Sequence, residues 1–172
     1  MLDTTSIIII VVLTALVSAC VVYIITVPLK TSNGNTSPLK ENGAAASMQL
    51  QAYERLMILV DRIALPNVIT RINQPAASAR EMQLLLTQNI RAEFDYNITQ
   101  QIYVTPDAWN AVKNLKEQNL LAINQLANVL PQNATGMDLN KLLLEFLMND
   151  QKGMLHEVVS DVLSFEAKKL MQ

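Results

Sequence analysis

Few residues of this chain have the chemistry of a catalytic or metal-binding site. The 172-residue sequence contains one His (His156), one Cys (Cys20) and four Gly. Metal sites need several ligands, covalent catalysis needs a nucleophile beside a base, and phosphate loops need glycines before a helix. We therefore predict a protein that is not an enzyme and binds no cofactor or metal, and we identify no small-molecule substrate.

Cys20 has the most definite chemistry, because Val17-Ser18-Ala19-Cys20 resembles the lipobox of bacterial lipoproteins, in which the cysteine is acylated. Two features weaken this interpretation. No Lys or Arg precedes the motif, and seven more uncharged, mostly apolar residues follow Cys20. Lipidation of Cys20 is therefore the alternative, and a small apolar residue inside a membrane helix is the preferred interpretation.

Charge argues against a nucleic-acid partner, because the chain has 13 Lys and Arg against 15 Asp and Glu. A phosphate-binding surface needs a basic excess on one face. The arginines nevertheless share one region: Arg55, Arg62, Arg71, Arg80 and Arg91. Since five acids lie in the same region, pairing within the domain is their expected use. Contact with a partner or with anionic lipid headgroups is the alternative.

Aromatic side chains cluster in the middle of the chain, at Phe94, Tyr96, Tyr103 and Trp109. Packing at the junction of two helices is the simplest expectation. An anchor patch for a partner protein is the alternative, because Tyr and Trp are enriched in such patches. The candidate partner surface comprises Tyr96, Tyr103, Trp109, Arg55 and Arg62.

The chain begins with a short tail, residues 1–6, followed by an uncharged run at residues 7–27, IIIIVVLTALVSACVVYIITV. As a helix it would span about 31 Å, the hydrocarbon thickness of a bilayer. It is too long for a secretory signal and lacks the basic residues that precede one. We predict an uncleaved transmembrane helix, with a candidate helix-packing face at Thr14, Ala15, Ser18 and Ala19.

Flanking charge predicts the orientation of that helix. Lys30 and Lys40 follow it, whereas the preceding tail carries Asp3 and no Lys or Arg. The positive-inside rule then places the N-terminus outside and the main domain in the cytoplasm. No Cys follows Cys20, which agrees with a reducing compartment.

Residues 28–47 are rich in Pro, Gly, Ser, Asn and Thr, a composition typical of a flexible linker. Residues 48–172 show helical apolar periodicity throughout, so we predict an all-α domain of four to five antiparallel helices. The first helix is expected to end near Leu65, before a connector bracketed by Pro66 and Pro75. Later helices are expected to start near Ser78 and at Thr105-Pro106-Asp107.

The segments YERLMILVDRIALPNVITR (53–71) and RAEFDYNITQQIYVTPDAWNAVKNLKEQ (91–118) resemble a bacterial family of uncharacterised, membrane-anchored helical proteins, a domain of unknown function. The resemblance covers about residues 50–170. It implies a bacterial inner-membrane protein and brings no catalytic or binding residues with it.

Three functional hypotheses follow. The first is a non-enzymatic, single-pass membrane protein whose cytoplasmic helical domain binds another protein or itself. The second is an envelope lipoprotein with a structural role, anchored through Cys20. The third is a small-ligand binder with a cavity in the core of the bundle.

Overall fold

The computed structural model describes residues 38–72, 74, 76–149 and 155–171. Six α-helices lie within them, and the only β-structure there is an isolated bridge. The helices are α1 (Pro38–Ile63), α2 (Leu65–Arg71), α3 (Ala79–Tyr96), α4 (Pro106–Val129), α5 (Gly136–Asn149) and α6 (Leu155–Lys169). A short 3-10 helix, Ile98–Ile102, connects α3 to α4. The prediction of an all-α fold is confirmed, with one helix more than the upper number expected.

The predicted membrane segment lies outside the described residues. This applies to the tail 1–6, the run 7–27 with Thr14, Ala15, Ser18, Ala19 and Cys20, and the linker residues 28–37. Among the helices that are described, none combines the length and the apolar character needed to cross a bilayer. The transmembrane prediction therefore stays a prediction.

Helix α1 begins inside the segment that the composition assigned to a flexible linker. It starts at Pro38 and includes residues 38–47. Proline is well suited to a first helical turn, and Ala44–Ala46 have the highest helix propensity. Extending a helix also costs far less than nucleating one. The amphipathic segment that follows therefore allows the helix to extend back through a sequence that would not fold alone.

Helix α2 occupies the segment expected to be a connector. Pro66 lies in its first turn, where the missing N–H costs nothing. Leu65, Val68 and Ile69 are buried at helical spacing. The chain therefore resumes a helix after Ile63, and the side-chain amide of Asn119 on α4 contacts the break by donating to the Ile63 carbonyl.

The starts of α3 and α5 are joined. Ser78 caps α3 in a reciprocal capping box with Glu81, and Thr135 and Asp138 form the equivalent bonds at the start of α5. An antiparallel bridge pairs Ser78 with Thr135. The two helices thus begin side by side, as alternate helices of an antiparallel bundle do.

Helix α4 is central, because it packs against α3, α5 and α6. Thr105 caps it as predicted, with its hydroxyl accepting from the Ala108 N–H at 3.2 Å. The main-chain N–H of Thr105 also donates to the Tyr53 hydroxyl, which ties α4 to α1. The largest fully buried side chains come from five helices, α1, α3, α4, α5 and α6, and form one apolar core.

Candidate functional site

An open groove of about 610 Å³ runs between α1 and the C-terminal part of α3. We call it the α1–α3 groove. Its lining residues are Arg55, Ile58, Arg62, Ala92, Glu93, Tyr96 and Asn97. Three residues of the predicted partner surface, Arg55, Arg62 and Tyr96, therefore lie together.

Helical periodicity explains this convergence. The apolar stripe of α1, which includes Leu56, Leu59 and Ile63, faces the core and is fully buried. Positions 55, 58 and 62 follow one another at three- and four-residue spacing, so they share the neighbouring face of the same helix. On α3, burial of Ile90 and Phe94 leaves positions 92, 93 and 96 to form the opposite wall.

Glu93 and Arg62 form the fixed part of the groove. Arg62 donates from Nε to Glu93 Oε2 at 2.7 Å and from Nη2 to Glu93 Oε1 at 2.5 Å. This two-point geometry is the strongest form of an arginine–carboxylate contact. Arg71 Nη2 lies 3.8 Å from Glu93 Oε1 and donates to Asn89 Oδ1 at 2.6 Å. The Glu93 carboxylate is thus held between two guanidinium groups.

The same contacts shift the acidity of both groups. The side-chain hydrogen bond from Arg62 lowers the pKa of Glu93, against the opposing effect of burial. The hydrogen bond to Glu93 raises the pKa of Arg62. Both groups are therefore charged near neutral pH, and Glu93 cannot serve as a proton donor there.

The residues in the outer part of the groove make few contacts with the rest of the described domain. Arg55 has no ion-pair or hydrogen-bond partner among the residues that the structure describes. Ile58 is 60% exposed and Tyr96 is 77% exposed. A cation and two large apolar surfaces without partners therefore lie beside a rigid salt bridge.

Asn97 closes the end of the groove. Its side-chain Nδ2 donates to the Glu93 carbonyl at 2.9 Å, and its own N–H donates to the Phe94 carbonyl. It is 7% exposed. By ending α3 with satisfied carbonyls, Asn97 fixes the turn of helix from which Glu93 and Tyr96 project.

The other two aromatic candidates lie elsewhere. The Trp109 ring packs on Phe94 with centroids 5.0 Å apart, as expected for packing at a helix junction. Tyr103 is 40% exposed in the turn before α4, and neither it nor Trp109 lines the groove. Glu93, Ile58 and Asn97 are groove residues that the sequence did not single out.

Two small clefts lie beside α4, where α5 and α6 approach that helix, and neither has room for a ligand. They measure about 40 and 10 Å³, room for water only. His156 lines the smaller one. Among the described residues no group of three or more His, Cys, Asp or Glu could hold a metal ion.

Comparison with known proteins gives a family without an assigned activity. Residues 2–170 match the Family of unknown function (DUF7935), so the chain belongs to that family. No curated protein and no solved structure matches the chain.

Proposed function

We propose that this chain is a non-enzymatic, membrane-anchored helical interaction module, and that its domain binds another protein through the α1–α3 groove. The observation that carries the proposal is the grouping of Arg55, which lacks a partner in the described domain, with exposed Ile58 and Tyr96. Exposed apolar residues grouped beside a charge are typical of interaction sites.

The groove favours a partner with acidic and apolar side chains. Two arginines and one glutamate line it, so its own charges sum to +1. Because Arg62 already pairs with Glu93, Arg55 is the cation available to a carboxylate of the partner. Ile58 and Tyr96 would pack against an apolar side chain one helical turn away from that carboxylate.

The proposed location rests on the sequence. The run 7–27 would anchor the chain in the inner membrane of a bacterium, with the N-terminus outside and the domain in the cytoplasm. Anchoring concentrates the domain at the membrane face, where a modest affinity suffices for recruitment. Cys20 lipidation, with the domain in the envelope, is the alternative anchor.

Photo-crosslinking in cells tests the groove. A benzophenone amino acid at Tyr96 should crosslink one protein, and Arg55→Glu should abolish that product. The same probe at Val129, which is 73% exposed on α4, is the matched control. No protein product from position 96, the same product from position 129, or lipid adducts alone from position 96 would overturn the proposal.

A further inference from the structure

A second surface differs in character from the α1–α3 groove. An open groove of about 440 Å³ lies between α2 and α5, which we call the α2–α5 groove. Its lining residues are Ile69, Thr70, Met137, Asn140, Lys141, Leu144, Glu145 and Met148. Six of these eight belong to α5, so the groove follows one helix along most of its length.

Large apolar side chains line this groove without being covered. Met137 is 59% exposed, Leu144 is 40% exposed and Met148 is 86% exposed. Positions 137, 144 and 148 are separated by seven and four residues, the spacing of a helix–helix seam. A helix with its buried face already in the core has no internal use for a second apolar stripe.

Asn140 forms part of the inner wall of the groove. It lines the same groove and is 7% exposed. Its Oδ1 is the only buried side-chain oxygen or nitrogen in the described part of the chain that lacks a hydrogen-bond partner. That oxygen has almost no solvent-accessible surface, so a partner docked on the groove would not reach it, and Asn140 does not indicate what occupies the groove.

The charges of α5 indicate what that partner is. Lys141 Nζ lies 3.8 Å from Glu145 Oε1 on the exposed side of α5. In the sequence, Lys141 is two residues before position 143 and Glu145 is two residues after it. In an antiparallel pair of α5 helices centred near residue 143, Lys141 of each copy faces Glu145 of the other. A patch with both signs in this order is complementary to itself, as a two-fold interface requires.

The apolar residues obey the same symmetry. Met137 and Met148 lie nearly equally far on either side of residue 143, so Met137 of one copy would face Met148 of the other. Leu144 lies beside the axis and would meet its own counterpart. From this agreement of charge and apolar positions, we infer that the α2–α5 groove is a self-association surface, occupied by α5 of a second copy of this chain in antiparallel orientation.

Charge reversal on the purified full-length chain tests this arrangement by sedimentation velocity. Lys141→Glu and Glu145→Lys should each weaken self-association by roughly tenfold, because each places like charges opposite one another. A 1:1 mixture of the two variants should restore it, since a mixed pair brings opposite charges together. Lys113→Glu on α4 is the control and should associate as the wild type does.

A crosslink tests the position of the axis. In a Cys20→Ser background, Leu144→Cys should form a disulfide-linked dimer, whereas Val158→Cys, 54% exposed on α6, should not. A monomeric wild type, self-association that neither charge reversal weakens, or equal crosslinking at 144 and 158 would overturn the inference. Because this face is separate from the α1–α3 groove, self-association and partner capture at Tyr96 can each fail alone.

Discussion

The side-chain amide of Asn119 donates a 2.8 Å hydrogen bond to the main-chain carbonyl of Ile63, at the point where α1 ends and α2 begins. Asn119 is 7% exposed and Ile63 is fully buried. The break between the two helices leaves carbonyls without an intrahelical donor, and Asn119 supplies one from α4. A single buried amide therefore stabilises the break between α1 and α2.

Replacing this amide should be costly. Asn119→Leu has similar volume but leaves the Ile63 carbonyl without a donor in the core, so we expect a loss of about 1–3 kcal/mol in the free energy of unfolding. Urea unfolding followed by circular dichroism measures it. Asn128→Leu, an exposed position on the same helix, is the control and should change stability by less than about 0.5 kcal/mol. Equal effects of the two substitutions would refute the role of Asn119.

Two glycines should respond to alanine in opposite directions. A Cβ at Gly136 would lie 3.0 Å from Met82 Cε and 3.1 Å from the Ala77 carbonyl oxygen. This crowding at the start of α5 should cost about 1–3 kcal/mol. At Gly43 a Cβ would meet nothing within 4 Å. Since the site lies within α1, Gly43→Ala should stabilise the domain by about 0.5–1 kcal/mol.

Thermal unfolding of the two glycine variants provides the comparison. The melting temperature should fall for Gly136→Ala and rise for Gly43→Ala. A Gly136→Ala protein as stable as the wild type would mean that the start of α5 can move away from Ala77 and Met82.

The Arg62–Glu93 contact predicts how stability depends on pH. The hydrogen bond from Arg62 lowers the pKa of Glu93 in the folded domain below its usual value. The ionised Glu93 carboxylate therefore makes its full contribution to the free energy of unfolding above the unfolded pKa of about 4.3. This contribution disappears as pH falls through the folded pKa. Glu93→Gln should consequently be less stable than the wild type at pH 7, and the difference should shrink below about pH 4.

Urea midpoints measured between pH 3 and pH 7 test this. Glu54→Gln on the exposed side of α1 is the control variant, and its midpoint should follow that of the wild type. A Glu93→Gln protein whose deficit is constant over the whole range would show that the carboxylate charge is not what Arg62 requires.

The anchor prediction concerns residues 7–27 and Cys20. We expect the full-length chain to remain in the membrane fraction after alkaline carbonate extraction, because an apolar run of this length inserts effectively irreversibly. Cys20→Ala should leave this behaviour and the protein mass, apart from the substitution, unchanged. Release of the variant into the soluble fraction, with loss of a lipid-sized mass, would instead establish the lipoprotein alternative.

Local signals in the sequence predicted the ends of helices well. Helix α3 starts beside Ser78 and Thr105 caps α4, both as expected, because the signals for a helix start lie within a few residues of it. The start of α1 was missed for the opposite reason. Residues 38–47 have a linker-like composition, and only their continuity with the amphipathic helix makes them helical.

The candidate site was predictable only in part. Arg55 and Arg62 could be placed on one face of a helix from their seven-residue spacing. The pairing of Arg62 with Glu93 joins residues 31 positions apart, a separation that sequence spacing cannot indicate. Tyr96 and Trp109 look alike in the sequence. Only the structure distinguishes their positions: Tyr96 follows the last buried turn of α3 and is exposed, whereas Trp109 packs on Phe94.

The bridge between the starts of α3 and α5 has a consequence for the order of folding. The amide of Ala79 donates to the Ala134 carbonyl, and the amide of Gly136 donates to the Ala77 carbonyl. Neither bond can form until α4 has returned the chain to the end of the bundle where α3 began. The two amides should therefore become protected from hydrogen exchange together, in one late cooperative event, although all of α3 and α4 separates them in the chain.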